Sequence, residues 1–353
     1  MADDPNALKQ KYAPKELKVL PTTRQMSSAR FTPCGKFLVA CGHDGLVHRW
    51  DAQSDEFKSL PTTAGHNGWV QEVVFDAAGL MYTADSWGGL RCWPYAGEKL
   101  EPKWAVASAH NGWIRGLAIS RDAALLATVG ADRKARVWNA ADGTRIHEFE
   151  HAEQLFSVGI HPDGKSVVTG DLKGIVRQWD LATKAVTRTF DCSTLFVLNR
   201  LQDVGGARSL EFSADGTSLA VAGCKPTNGG TVVGVPTVLL VDWSNGQIKQ
   251  TIAVGPATDA FVTDVRFHPA GFLLAVATGQ PGSGKLACHQ PGEEKPFFET
   301  THMPNCHSIS VHPNAHRVAV VATNGGSNGN GRNLKDGQYP GNFSPIHILD
   351  MPA

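Results

Sequence analysis

The sequence predicts an all-β fold, a closed ring of seven four-stranded antiparallel sheets, and three observations lead there. The first is the stretch Ala109 to Asn139, AHNGWIRGLAISRDAALLATVGADRKARVWN, in which three apolar runs are separated by turns at Ser120 to Ala123 and around Asp132. Period-two alternation cut by hairpin turns is the strand signal, and one such unit cannot bury both faces without copies of itself as neighbours. The second is that its first turn recurs seven times: Thr32-Pro33-Cys34-Gly35, Asp76-Ala77-Ala78-Gly79, Ser120-Arg121-Asp122-Ala123, His161-Pro162-Asp163-Gly164, Ser213-Ala214-Asp215-Gly216, His268-Pro269-Ala270-Gly271 and His312-Pro313-Asn314-Ala315. Pro sets φ at the second position, Asp or Asn bonds locally, and Gly takes the left-handed closing position. The third is spacing: third strands end at Trp50, Trp93, Trp138 and Trp179, which are 43, 45 and 41 residues apart, the period of a propeller blade.

In chain order, residues 1–14 are polar and terminal and read as a disordered segment, and 15–353 read as a single domain. Glu16 to Thr22 is a lone strand with no hairpin partner nearby. Further third-strand ends lie at Asp242-Trp243 and Leu349-Asp350, with a degenerate one near His289. The last copy, ending at Ile346 to Asp350, is one strand short. The lone N-terminal strand fills that place, because pairing the two chain ends in one sheet leaves no exposed edge at the seam.

These turns, Trp-ended strands and spacings resemble the WD-repeat β-propeller family over residues from about 15 to 353. The resemblance implies a polar tetrad in each regular blade: a His before the first strand, a Ser or Thr in the second, an Asp in the following turn and the third-strand Trp. Blade three carries all four as His110, Thr128, Asp132 and Trp138. Blade two offers His66, Thr83 and Trp93 but Trp87 where Asp is expected, and blade four offers His151, Thr169 and Trp179 but Lys173. Blade one keeps Asp44 and Trp50, and blades five to seven lack the set, so the C-terminal half is expected to rely on packing alone.

The resemblance also implies that residues three and five positions after the His face the mouth of the central channel. Matched blade by blade, the outer set is Gln25, Trp69, Trp113, Gln154, Gly206, Phe261 and Asn305, and the inner set is Ser27, Gln71, Arg115, Phe156, Arg208, Thr263 and His307. Trp and Arg dominate protein-binding hot spots. The predicted partner-binding residues are therefore Trp69, Gln71, Trp87, Trp113, Arg115, Phe156, Arg208, Phe261 and His307. Arg115, Arg208 and His307 point to an acidic or carboxylate-bearing ligand. Trp69 and Trp113 have the alternative of packing against a neighbouring blade.

Four insertions break the period, at Cys192 to Gly206, Lys225 to Pro236, Gln280 to Gly284 and Asn324 to Phe343. In a meandering blade all four connections emerge on the rim that holds His110 and Asp132, and one-sided elaboration of a repeat array marks a binding face. The Gly/Asn tract from Asn324 to Gly331 is expected to order only on a partner. Drifted loops without a ligand are the alternative.

Composition narrows the function. Lys+Arg and Asp+Glu are 33 each, so bulk attraction to nucleic acid or anionic membrane is not expected. No apolar run is long enough to span a bilayer, and the first twenty residues carry no leader pattern, so the expected location is cytoplasmic. Seven cysteines without a CxxC pair read as free core thiols in a reducing compartment.

Two catalytic motifs are refused. His147-Glu148-Phe149-Glu150-His151 matches HExxH but falls on a strand, where residues four apart cannot share a metal as they do on a helix. Gly279 to Lys285 matches GxxxxGK but runs into another strand, with no helix N-terminus to hold phosphate. The leading expectation is a non-catalytic protein- or peptide-binding scaffold with no cofactor and no metal. Its rivals are a propeller enzyme, lactonase- or quinoprotein-like, with a site over the central channel, and a ring that regulates a separately encoded enzyme.

Overall fold

The computed structural model describes residues 5–199, 201–228, 233–279, 283–324 and 342–352. Alternating apolar runs cut by turns give seven four-stranded antiparallel sheets, each a consecutive meander except the last. Blade one shows the plan with strands Met26–Phe31, Phe37–Gly42, Val47–Asp51 and Lys58–Thr63. Second strands are almost wholly buried, as Phe37–Gly42 and Ser166–Asp171 show, because each lies between two neighbouring sheets. Fourth strands are mostly exposed. The core is accordingly divided into seven layers, one in each gap between blades. Between blades one and two, for example, Val39, Cys41 and Val47 meet Val70, Val73, Met81 and Trp93. Among the described residues no helix is long and apolar enough to cross a membrane.

The N-terminal strand closes the ring as expected. Lys15–Leu20 pairs antiparallel with Ile346–Asp350, with Leu20 opposite Ile346, and the Thr22 hydroxyl donates to Ser344 O at 2.8 Å. Ahead of it, one expectation is corrected. Pro5–Tyr12 forms an α-helix where the sequence reads as disordered. Leu8 is buried in the layer between blades six and seven, and the Tyr12 ring lies 5.1 Å from His268 and 5.2 Å from Phe272. Leu8 and Tyr12, four apart and so on one helical face, are its only large apolar residues.

Of the seven free cysteines six are buried. Burial pushes the Cys92 thiol up to about 11 and that of Cys306 up to about 12. Cys34 departs from the core reading: it is exposed on its hairpin turn.

Two polar systems brace the ring, one within blades and one between them. In blade three the Trp138 indole N–H donates to Thr128 Oγ1 at 2.8 Å, that hydroxyl lies 2.8 Å from His110 Nε2, and His110 Nδ1 lies 2.9 Å from Asp132 Oδ1. One tautomer satisfies the chain, with the proton on Nδ1 given to Asp132 and the Thr128 O–H given to Nε2. The Arg136 Nη1 lies 2.8 Å from both Asp132 Oδ2 and His110 Nδ1, and the carboxylate also accepts the backbone N–H groups of Asn111 and Lys134.

The blade-two and blade-four expectations need correction. Asp85, and not the position of Trp87, holds His66 Nδ1 at 2.7 Å, while His66 Nε2 and the Trp93 indole meet Thr83 at 2.7 and 2.9 Å. Asp85 ends the second strand, where it also accepts the N–H groups of Trp87 and Gly89. One carboxylate thus closes its own turn and binds the His. Blade four places Asp171 in the same register, bonded to Arg177 at 3.0 Å, while Lys173 pairs with Glu153 at 2.5 Å. The sequence signal missed here is an Arg two residues before the Trp in all three blades: Arg91, Arg136 and Arg177 each reach the local Asp.

On the opposite rim the His-Pro turns bond from blade to blade three times. The Nε2 of His161, His268 and His312 sits 3.2, 2.8 and 3.0 Å from the carbonyl oxygens of Gly216, Ala315 and Gly35 in the next blade. Each Nδ1 accepts the N–H two residues on. The C-terminal half is therefore held by bonds between blades as well as by packing, which corrects the expectation from the missing tetrads.

Acid should loosen this ring. Burial holds His66 and His110 below the ordinary imidazole range and brings His151 down to about 3. The unfolded chain takes up these protons below about pH 6.5 while the folded chain resists, so stability is lost as pH falls from about 6.5 toward 3. His151 by itself contributes on the order of 2 kcal/mol of that loss between pH 7 and 4.5. Calorimetry from pH 7 to 4.5 is expected to show a falling melting temperature with a smaller slope in His151→Gln, and equal slopes would count against the assignment.

Candidate partner-binding face

The face is built from the turns between second and third strands and the segments that enter each first strand. Blade-to-blade contacts lock the two together. Ala109 N–H donates to Gly88 O at 2.7 Å and His151 N–H to Arg133 O at 2.9 Å. Gly88 has φ +87°, and a Cβ there would come within 2.1 Å of His110 O, so only glycine lets blade three rest on blade two.

The described parts of all four insertions lie on this rim. Cys192 to Gly206 forms a short 3-10 turn and a hairpin of Phe196–Asn199 with Gln202–Gly205. Lys225 to Pro236 extends the long hairpin Ser218–Asn228 with Val233–Asp242, and Gly234 N–H donates to Asp259 O. Asn305 N–H donates to Ser283 O and Ser344 N–H to Arg24 O. Gly325 to Gly331 of the Gly/Asn tract and Gln280 to Gly282 of the GxxxxGK match lie outside the described residues.

The predicted site residues separate into two places. A register shift interrupts the innermost ladder of five blades, between Met26 and Ser28, Val70 and Glu72, Ile114 and Gly116, Leu155 and Ser157, and Val262 and Asp264. The residue skipped each time is Ser27, Gln71, Arg115, Phe156 or Thr263, all of the predicted inner set. A β-bulge re-aims one side chain, and here it turns the mouth residues toward the axis. Below them lies a channel cavity of about 510 Å³ lined by Arg115, Phe156, Arg208 and His307.

At the mouth the Arg115 guanidinium lies 4.3 Å from the Phe156 centroid, and that of Arg208 lies 3.8 Å from Phe156 and 4.8 Å from Phe261. Arg208 Nε donates to Gly205 O at 2.9 Å. Arg115 Nη1 is buried without a hydrogen-bond partner. Burial, and then the charge of Arg115, push Arg208 down to about 10, the mark of two cations held out of water close together. His307 goes elsewhere: its ring nitrogens lie 2.6 Å from Met26 O and 2.9 Å from Asn305 O, tying blade seven to blade one.

Deeper in the channel is a charge network that sequence reasoning missed. Arg30 pairs with Glu72 at 3.1 Å and Asp264 at 2.9 Å, and Arg266 pairs with Asp264 at 3.2 Å and Glu211 at 3.0 Å. Asp264 also accepts the Ile309 N–H at 2.9 Å. These residues stand on first strands of four blades, far apart in sequence, so no local pattern announces them. Each of the two guanidiniums is bridged between two of the three carboxylates, and buried charges need such partners. Among the described channel residues Arg115 and Arg208 have no carboxylate partner.

The second place is the rim of blades one to three. Trp69 stacks on His43, 4.4 Å apart and 7° from parallel, and meets Trp113 at 5.6 Å and 58°. Trp69, Trp113 and Trp87 are 42, 40 and 71% exposed. Packing thus takes one face of Trp69 and leaves the cluster open. The HExxH residues do structural work: Glu148 binds Lys134 at 2.6 Å and Arg136 at 2.8 Å, and the His151 ring approaches Thr169 at 3.4 Å.

A family model for the WD domain, G-beta repeat, matches residues 15–51, 103–139 and 143–180. Each match begins on the outer strand of one blade and runs through three strands of the next, the same offset that closes the ring. The chain is 29% identical to telomerase protein component 1 of Rattus norvegicus over 85% of its own length and 10% of that protein's. It is 24% identical to apoptotic protease-activating factor 1 of Rattus norvegicus over 66% of this chain and 18% of that one. Against small ribosomal subunit protein RACK1y of Oryza sativa subsp. japonica the identity is 26%, over 44% of this chain and 45% of that protein. The chain therefore spans less than half the length of each of these relatives.

Proposed function

The chain is a seven-bladed β-propeller of the WD-repeat family, and from that premise we propose that it is a non-catalytic scaffold whose top face binds an acidic segment of another protein. The observation that carries the reading is the pair Arg115 and Arg208, without carboxylate partners at the mouth of a channel whose deeper guanidiniums are each paired with carboxylates. A buried guanidinium with an open donor is costly, and a carboxylate takes it up in bidentate geometry. The relatives are WD-repeat proteins, which supports a protein partner over a substrate. Six buried, unpaired cysteines support a reducing, cytoplasmic location.

An array of Asp- and Glu-containing peptides and a matched Asn/Gln array, presented to the intact chain, test the reading. Acidic peptides are expected to bind at least about tenfold more tightly, given 1.5–3 kcal/mol for a charged hydrogen bond. Arg115→Met should abolish the preference while leaving the melting temperature unchanged or raised, because it removes a buried unpaired charge. Equal binding to both arrays, or an unaltered preference in Arg115→Met, would overturn the acidic-segment reading.

A further inference from the structure

We propose that the rim cavity of blades one to three, walled by Trp69, Trp87 and Trp113 beside Asp44, is a binding site for an N-methylated ammonium cation. The cavity holds about 400 Å³. It is separate from the channel mouth, so it stands apart from the acidic-segment reading and is tested through other residues.

Three indoles reach it from three connections: Trp69 and Trp113 from segments entering first strands, Trp87 from the turn after Leu80–Asp85. Their places are fixed. Trp69 is backed by His43, the Trp87 backbone N–H is held by Asp85 Oδ1 at 2.9 Å, and a Cβ on Gly68 would fall within 2.4 Å of Trp87 Cδ1. Trp87 therefore sits down on the loop that carries Trp69. Tryptophan is the strongest aromatic partner for a cation, through the negative face of its ring.

The charges around the cavity select the ligand further. Asp44 is the one acidic or basic side chain, imidazoles aside, among the described residues lining it. The two imidazoles, His43 and His66, are both pushed below their ordinary range by burial and so are neutral at pH 7. An anion meets a carboxylate there and no cationic side chain among the described lining residues. Both Asp44 oxygens already accept bonds, Oδ1 from Leu46 N–H at 3.1 Å and Oδ2 opposite His48 Nε2 at 3.0 Å. The pocket thus offers a negative field with its acceptors engaged. A bare lysine ammonium would surrender strongly held water there without new acceptors, whereas a methylated ammonium has few or no N–H groups to satisfy and places its methyls against the indoles.

Indole fluorescence of the intact chain, titrated at constant ionic strength, reads the site directly. Tetramethylammonium chloride is expected to give a saturable change that sodium chloride does not. The neutral tert-butyl isostere 3,3-dimethylbutanol should bind at least about tenfold more weakly. A trimethyl-lysine peptide that binds tighter than tetramethylammonium identifies a protein tail as the source, and equal affinities identify a free quaternary amine; both support the site. Trp87→Ala, at an exposed residue, is expected to lower affinity about tenfold, and Asp44→Asn, which keeps the turn's bond to Leu46 N–H, about fivefold. Absence of a saturable response, equal binding of the neutral isostere, or affinity untouched in both variants would overturn the proposal.

Discussion

A chain lacking residues 1–20 is expected to aggregate on expression, or, where soluble, to melt about 10 °C or more below the intact protein. The deletion removes the strand Lys15–Leu20 and leaves the backbone of Ile346–Asp350 open along one side, and an unpaired strand edge templates association. It also removes Leu8 and Leu20, both buried, and burying one such side chain contributes roughly 1.5–3 kcal/mol. Together with the lost ladder this approaches the whole margin of about 5–15 kcal/mol by which domains stay folded. Size-exclusion chromatography and calorimetry check both parts, and a monomer with an unchanged midpoint would refute the closure argument. A shorter deletion of residues 1–13 separates the helix from the strand: it should lose the Leu8 and Tyr12 contacts and keep the strand pairing.

Thr128→Val is expected to cost roughly 2–4 kcal/mol with almost no change in shape. The Thr128 hydroxyl joins Trp138 Nε1 and His110 Nε2 in a site closed to solvent, and its loss leaves both nitrogens buried and unmatched, at about 1–3 kcal/mol each. Valine fills nearly the same volume, so the loss is assigned to hydrogen bonding and not to a cavity. Thr62→Val, at an exposed outer-strand position, serves as the control and should stay within about 0.5 kcal/mol. Denaturant melts that place Thr128→Val beside the control would show that the tetrad adds nothing to stability.

The fold was legible in the sequence to a large degree. Seven hairpin turns and the Trp-ended strands gave the blade count, because turn chemistry and period-two alternation act within a few residues. The orphan strand gave the closure, because an unpaired edge has only one remedy here. The tetrad was legible in blade three and misread in blade two, where Asp85 performs its task two residues earlier in register than Asp132. A fixed spacing cannot show that two positions in different backbone settings reach the same imidazole nitrogen. The helix Pro5–Tyr12 was missed because two large apolar residues among eight are too few to declare a face.

What the sequence determined by itself is therefore the local grammar: strands, turns, the number of blades, the closing strand and the rim on which the insertions emerge. Tertiary structure decided which distant residues meet. It joined Arg30 to Asp264, hung His312 of the last blade on Gly35 of the first, sent His307 to the seam, and parted the predicted rim into an arginine mouth and a tryptophan cavity. The physical reason is ring closure. Periodicity fixes what each blade is, but which side chains face one another across the axis depends on the positions of all seven at once.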